Sequence, residues 1–157
     1  MANHHRGFLR RSAPVLALAG TLFGSGCLVA TDVELTDLVG DWTASEAQLA
    51  DPANLNEVVD VIALGWEVTL SIEASGAYVF TIVRPGEEPD VRPGTVAVEN
   101  GKDLVLTNYQ GVAGEGEVFL EHDQVAFMFD EFAGLTADIY GTGEPIPVTL
   151  LLVMERQ

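Results

Sequence analysis

The chain has 157 residues, with 24 acidic and 7 basic side chains, a formal charge of −17 at pH 7, and 48% hydrophobic residues. A disordered acidic tail would be poor in apolar residues, and a nucleic-acid binder with a basic surface needs Lys and Arg for phosphate contacts, so both classes are excluded. A single cysteine leaves no disulfide framework within the chain and no Cys-rich zinc site. The length fits one domain behind any targeting segment.

The first 26 residues differ in kind from the rest. Arg6, Arg10 and Arg11 stand there with His4 and His5 and no acid. An almost wholly apolar run from Ala13 to Phe23 follows, and then Gly24, Ser25 and Gly26 precede Cys27. A basic stretch, a short apolar run and a small-residue cleavage site describe a secretory signal. The run is too short to span a bilayer, which takes about 20 residues. Small residues directly before the cysteine resemble a bacterial lipobox, with Gly24 where leucine is usual. That resemblance implies cleavage before Cys27 and lipidation of its thiol. Leu28, where an aspartate would favour inner-membrane retention, then points to the outer membrane, with the protein facing the periplasm or the cell surface. An ordinary signal cleaved near Ala30, which discards Cys27, is the alternative. The lipobox reading divides the chain into a leader over 1–26, a lipidated N-terminus and short tether over 27–34, and a domain over 35–157.

The domain reads as short strands. Asp32 to Leu38 is an acidic lead-in with room for one helical turn, and Trp42 to Ala47 is a mostly polar first strand. Residues 49–60 are expected to form a loop or short helix, with Asp51-Pro52 as its start. After Gly65, Trp66, Val68, Leu70 and Ile72 alternate with Glu67, Thr69, Ser71 and Glu73, the period of a half-buried strand. Ser75-Gly76 turns the chain into a second alternating run through Tyr78, Phe80 and Ile82. Arg84 to Asp90, with two prolines and a glycine, is expected as a loop. Runs over 95–99 and 102–107 flank Asn100-Gly101, a strong hairpin signal, and runs over 115–121 and 124–130 flank His122-Asp123. Residues 131–145 are irregular and glycine-rich. Pro147 to Glu155 is a last strand, apolar on both faces. Eight strands joined by short links, without a long amphipathic helix, predict an all-β fold: an eight-stranded antiparallel up-and-down barrel, which removes exposed edges. An immunoglobulin-like sandwich lacks its Cys–Trp–Cys pattern here.

Leu38-Val39-Gly40-Asp41-Trp42 resembles the Leu-x-Gly-x-Trp entry of lipocalins and bacterial lipocalin-like domains, and Met154-Glu155-Arg156 resembles their closing strand. The Thr-Asp-x-Tyr motif of true lipocalins is absent, so the bacterial lipocalin-like lipoproteins are the nearer match. The resemblance implies that Trp42 plugs the barrel base with Arg156 stacked on it. It further implies a small apolar ligand inside the barrel.

Chemistry has few carriers. After the leader, His122 and Lys102 are the one histidine and the one lysine, and His122 sits in a turn. Ser45, Ser71 and Ser75 lack a nucleophile-elbow context, and no paired carboxylates lie in an apolar segment that would raise a pKa. No enzyme activity is expected. Metal binding is not expected either, because Asp130, Glu131 and Asp138 do not follow calcium-loop spacing, and no cofactor is implied. Trp66, Leu70, Tyr78, Phe80, Phe127 and Phe129 are the candidate ligand-lining residues, with the Tyr78 hydroxyl and Trp66 indole as polar handles. Residues 49–64 and 131–145 would be mouth loops. Two readings stay open: a lipid-anchored envelope protein that binds an apolar ligand, and a non-catalytic interaction module whose barrel is filled by its own side chains.

Overall fold

The computed structural model describes residues 32–129 and 135–157. The leader, Cys27 and Leu28, and the acidic pair Asp130 and Glu131 with Phe132, lie outside the described residues. One helical turn, α1 (Leu35–Leu38), precedes eleven strands: β1 (Gly40–Asp51), β2 (Asn54–Asp60), β3 (Glu67–Ile72), β4 (Ala77–Val83), β5 (Asp90–Glu99), β6 (Asp103–Asn108), β7 (Ala113–Glu121), β8 (Gln124–Phe129), β9 (Thr136–Ala137), β10 (Ile146–Pro147) and β11 (Thr149–Arg156).

The strands pair antiparallel in the order β11-β8-β7-β6-β5-β4-β3-β1-β2, and β11 also pairs with β1. That pairing closes an eight-stranded up-and-down barrel of β1, β3–β8 and β11. β2 is an added arm on the far half of β1, and β9 with β10 forms a separate ribbon. The hairpin signals act where they stand. Asn100 and Gly101 both take positive φ, +51° and +75°, as a type I′ turn requires. His122 takes φ +55° in the two-residue link between the paired Glu121 and Gln124.

Three stretches depart from expectation. Residues 49–60 are not a loop or helix: β1 runs on to Asp51, and β2 returns along it. Asp51 accepts the Ala53 N–H at 2.7 Å, so Asp51-Pro52 starts a hairpin turn. β1 also carries a bulge between Ala44 and Glu46, which moves its buried face from Trp42 and Ala44 to Ala47 and Leu49. Finally, β5 begins at Asp90 and contains Pro93. The Pro93 carbonyl accepts from the Tyr109 N–H at 3.1 Å, one residue past the last β5–β6 pair, Gly94 with Asn108. The missing N–H therefore points beyond the end of β6, where no ladder bond is lost.

The core runs through the barrel, from Trp42, Phe127 and Phe129 to Ile82 and Leu150, and Thr149 is the one buried polar residue among those described. Two cross-strand glycines make space for rings: Gly94 faces Tyr78 and Gly116 faces Phe129. A Cβ on Gly116 would collide with the Phe129 ring and the Met128 carbonyl. Gly116→Ala should therefore destabilise the barrel by about 1–3 kcal/mol through overpacking. The readout is a lower urea midpoint at unchanged denaturant slope.

Candidate functional site

The two ends of the barrel are built differently. At the base, Trp42 on β1 is fully buried and paired in register with Arg156 on β11. The Trp42 Nε1–H donates to the Leu38 carbonyl at 2.8 Å, satisfying its one polar atom. The Arg156 guanidinium lies 4.3 Å from the centre of the indole ring. Its Nη1 and Nη2 donate to the carbonyls of Val39 and Asp37, each at 2.8 Å. Gly40 has φ +136°, and a Cβ there would stand 3.0 Å from Arg156 Nη1. Glycine two residues before the tryptophan thus meets the demand of the backbone, and a Cβ there would press on the arginine by a few tenths of an ångström.

Above the base the interior is full. Leu70, Tyr78, Phe127 and Phe129 surround a void of only about 10 Å³, together with Phe80 and neighbouring aliphatic residues. Burial raises the Tyr78 hydroxyl pKa, with nearby Arg92 partly opposing it.

At the other end lies a cavity of about 510 Å³. Its wall comes from Ala47 and Leu49 on β1, Val59 on β2, Val68 on β3, Phe80 and Ile82 on β4, and Leu150 and Leu152 on β11. The turn after β2 adds Val61, Leu64 and Trp66, and the β9–β10 region adds Leu135, Ala137, Ile139 and Pro145. Thr136, Asp138 and Arg84 are the hydrogen-bonding or charged side chains in that wall besides the Trp66 indole. Of the six candidate lining residues, the structure places Trp66 and Phe80 on this cavity and Leu70, Tyr78, Phe127 and Phe129 in the packed layer beneath it. Tyr78 therefore offers the cavity no polar handle, and sequence reasoning missed Ala47, Leu150 and Leu152 as lining residues and, with them, the charged Arg84. Its signal was available: Phe80, Ile82 and Arg84 share the inward face by alternation.

Local geometry fixes the mouth. Asp60 Oδ1 accepts from the Ile62 N–H at 3.0 Å, turning the chain so that the Trp66 N–H reaches the Val61 carbonyl at 3.1 Å. Asp138 accepts the N–H groups of Gly143 at 2.7 Å and Thr142 at 2.9 Å, and these bonds, Gly143 first, hold its pKa below the ordinary aspartate value. The Tyr140 hydroxyl donates to Asp51 Oδ2 at 2.7 Å, tying the β9–β10 loop to the tip of the β1–β2 hairpin. That bond, then the Ala53 N–H, lowers the Asp51 pKa. No group of three or more His, Cys, Asp or Glu able to hold a metal occurs among the described residues. No described helix is long and apolar enough to cross a membrane.

Compared with protein-family models, curated proteins and solved structures, the chain matches none of them. Its own geometry is the ground for a functional reading.

Two outcomes follow. Arg156→Ala removes a cation from an indole face and two hydrogen bonds at the solvent-exposed end of the barrel, so it should destabilise by about 1 kcal/mol, with Arg156→Lys recovering only part. Urea unfolding measures both. Tyr140→Phe should raise the Asp51 pKa toward the ordinary value, read by NMR titration. A carboxyl with a depressed folded pKa contributes stability above its unfolded pKa and loses it as pH falls through the folded value. The stabilisation from the Tyr140 tie should accordingly fade on acidification, and the variant should lack that component.

Proposed function

We propose that the chain is an exported, lipid-anchored envelope protein whose barrel binds a small apolar ligand at its open end. The cavity carries this reading: about 510 Å³, mostly apolar walls and few polar groups. Ligand sites typically span about 300–1,000 Å³ with such a lining. Export and anchoring are supported by the basic leader, its short apolar run and Cys27. The resemblance of Gly40-Asp41-Trp42 and Arg156 to bacterial lipocalin-like lipoproteins agrees with a closed barrel around an apolar site. A binding role is favoured over catalysis because Asp138, the one carboxylate among the described lining residues, is engaged by backbone N–H groups of its own loop.

A second reading draws on the outer face. Val79, Val91 and Tyr109 are 42%, 54% and 71% exposed and gather around Pro93, an apolar patch suited to an envelope partner. Mass spectrometry of the protein isolated gently from its native membrane tests both readings. A co-purifying apolar small molecule, with a mature mass starting at an acylated Cys27, is the expected result. A bound protein and an empty cavity would favour the second reading. An unmodified chain starting elsewhere would overturn the anchor.

A further inference from the structure

Both tryptophans of the chain stand across from an arginine on an antiparallel neighbour, one pair at each end of the barrel. Trp42 and Arg156 are paired at the base. Trp66 and Arg84 stand one step past Glu67 and Val83, the last pair of β3 and β4. In this second pair the guanidinium carbon lies 4.7 Å from the centre of the indole ring. The two arginines differ in what their N–H groups do. Arg156 gives Nη1 and Nη2 to backbone carbonyls of the entry segment. Arg84, on the cavity wall, gives Nη1 to Glu87 at 3.2 Å, and its Nη2 is 4.0 Å from Asp90. The Glu87 side chain is 58% exposed, and an ion pair of that kind is weak and easily exchanged. Asp90 is held more closely by Arg92, through Nε at 3.0 Å and Nη2 at 2.8 Å.

Among the described lining residues Arg84 is the one cation, and its Nη1 is met by a carboxylate from outside the wall that is more than half exposed. The other charged group in that wall, Asp138, already accepts from Thr142 and Gly143. A guanidinium keeps its charge at every physiological pH, and its planar fork fits a carboxylate through two parallel bonds. Stacking on Trp66 holds that plane in place, so little ordering remains when a ligand arrives.

We propose that the cavity takes an apolar molecule ending in a carboxylate, with the tail against Val68, Phe80, Ile82 and Leu150 and the carboxylate on Arg84. This rests on the reading of the cavity as a ligand site. The carboxylate displaces Glu87 from Nη1, and Glu87 returns to water. The acidic surface repels such a ligand at a distance, but salt confines that repulsion to about 8 Å, inside which the ligand meets Arg84.

Isothermal titration calorimetry with dodecanoate and with its methyl ester separates the two layers of this reading. Dodecanoate should bind the unsubstituted protein at least roughly tenfold more tightly than the ester, as a charge-assisted pair requires. Arg84→Gln should abolish that preference, so that dodecanoate and ester bind the variant with equal affinity whatever the variant's own affinity for the ester; a preference that survives in it overturns the assignment to Arg84. Equal affinity of acid and ester for the unsubstituted protein overturns the carboxylate assignment and leaves the apolar cavity standing, and this comparison needs no variant to fold. Binding of neither compound overturns the carboxylate assignment together with the cavity reading beneath it. Arg84→Lys keeps the charge without the fork and should narrow the ratio of dodecanoate to ester affinity; full retention of the preference would place the recognition in charge alone and overturn the bidentate geometry.

Discussion

The barrel depends on the seam where its first and last strands meet. From β3 to β8 each strand reaches its neighbour through a link of at most about six residues, so local turn chemistry brings those strands together; β3 and β11 join β1 and β8 across longer segments that carry β2, β9 and β10. β1 and β11 are separated by nearly the whole domain, and their pairing from Trp42–Arg156 to Ala50–Thr149 has no hairpin to set it. Loop closure over that length is costly in entropy, and an open seam would leave two unpaired edges and a wet core. Arg156 addresses this at one point by several means. It covers the Trp42 ring, binds the carbonyls of Asp37 and Val39, and its backbone N–H donates to Asp123 in the β7–β8 turn at 3.0 Å. One residue therefore joins the entry turn, the first strand, the last strand and a distant hairpin.

Given that closure, the cavity follows from how the interior is filled. Eight strands enclose a space that side chains can just fill. Near the base, Trp42, Tyr78, Phe127 and Phe129 fill it, with Gly94 and Gly116 making room for two of the rings. Toward the mouth β1 contributes Ala47 and Leu49 after its bulge. Without the bulge between Ala44 and Glu46, simple alternation would have turned Glu46 and Gln48 inward. The irregularity is what keeps the mouth of β1 apolar while leaving only a methyl group at Ala47. The wall is finished by turns instead of strands, and those turns are held by Asp60, Asp138 and the Tyr140–Asp51 bond. Acidic side chains that look like surface charge in the sequence thus shape the rim.

The barrel strands could be read from the chain because each presents alternating apolar residues to one continuous core, and the turns between them carry Asn100-Gly101, Ser75-Gly76 or His122-Asp123. β2 could not, because Asn54, Asn56, Glu57 and Asp60 leave it mostly exposed and its pairing with β1 is irregular. Pro93 concealed the start of β5, since its tolerance depends on β6 ending one residue short, a tertiary fact. The site was partly readable for the same reason. Period two identified the inward face, so Trp66 and Phe80 were found. It carried no information about height in the barrel, so it could not separate the wall of the cavity from the packed layer that holds Leu70, Tyr78, Phe127 and Phe129. Arg84 was overlooked because a charged residue beside prolines reads as loop, although alternation from Phe80 places it inward.

Charge gives the two arginine pairs their different meanings. Without the leader, 131 residues carry 4 basic against 24 acidic side chains, a formal −20. Lys102 is engaged by Glu117 at 2.9 Å and Arg92 by Asp90 at 2.8 Å, both at the surface. Arg156 serves the base. Arg84 is left as the cation on the cavity wall, in a domain whose acids otherwise surround it. A guanidinium there is not needed for solubility, which the acids supply, and its pairing with exposed Glu87 adds little stability. A leucine at that inward position would bury more apolar surface and close part of the mouth. An arginine there instead stacks on the Trp66 ring, which is one face of the cavity, and sets a planar cation into an otherwise largely apolar wall, the arrangement on which the proposed carboxylate site rests.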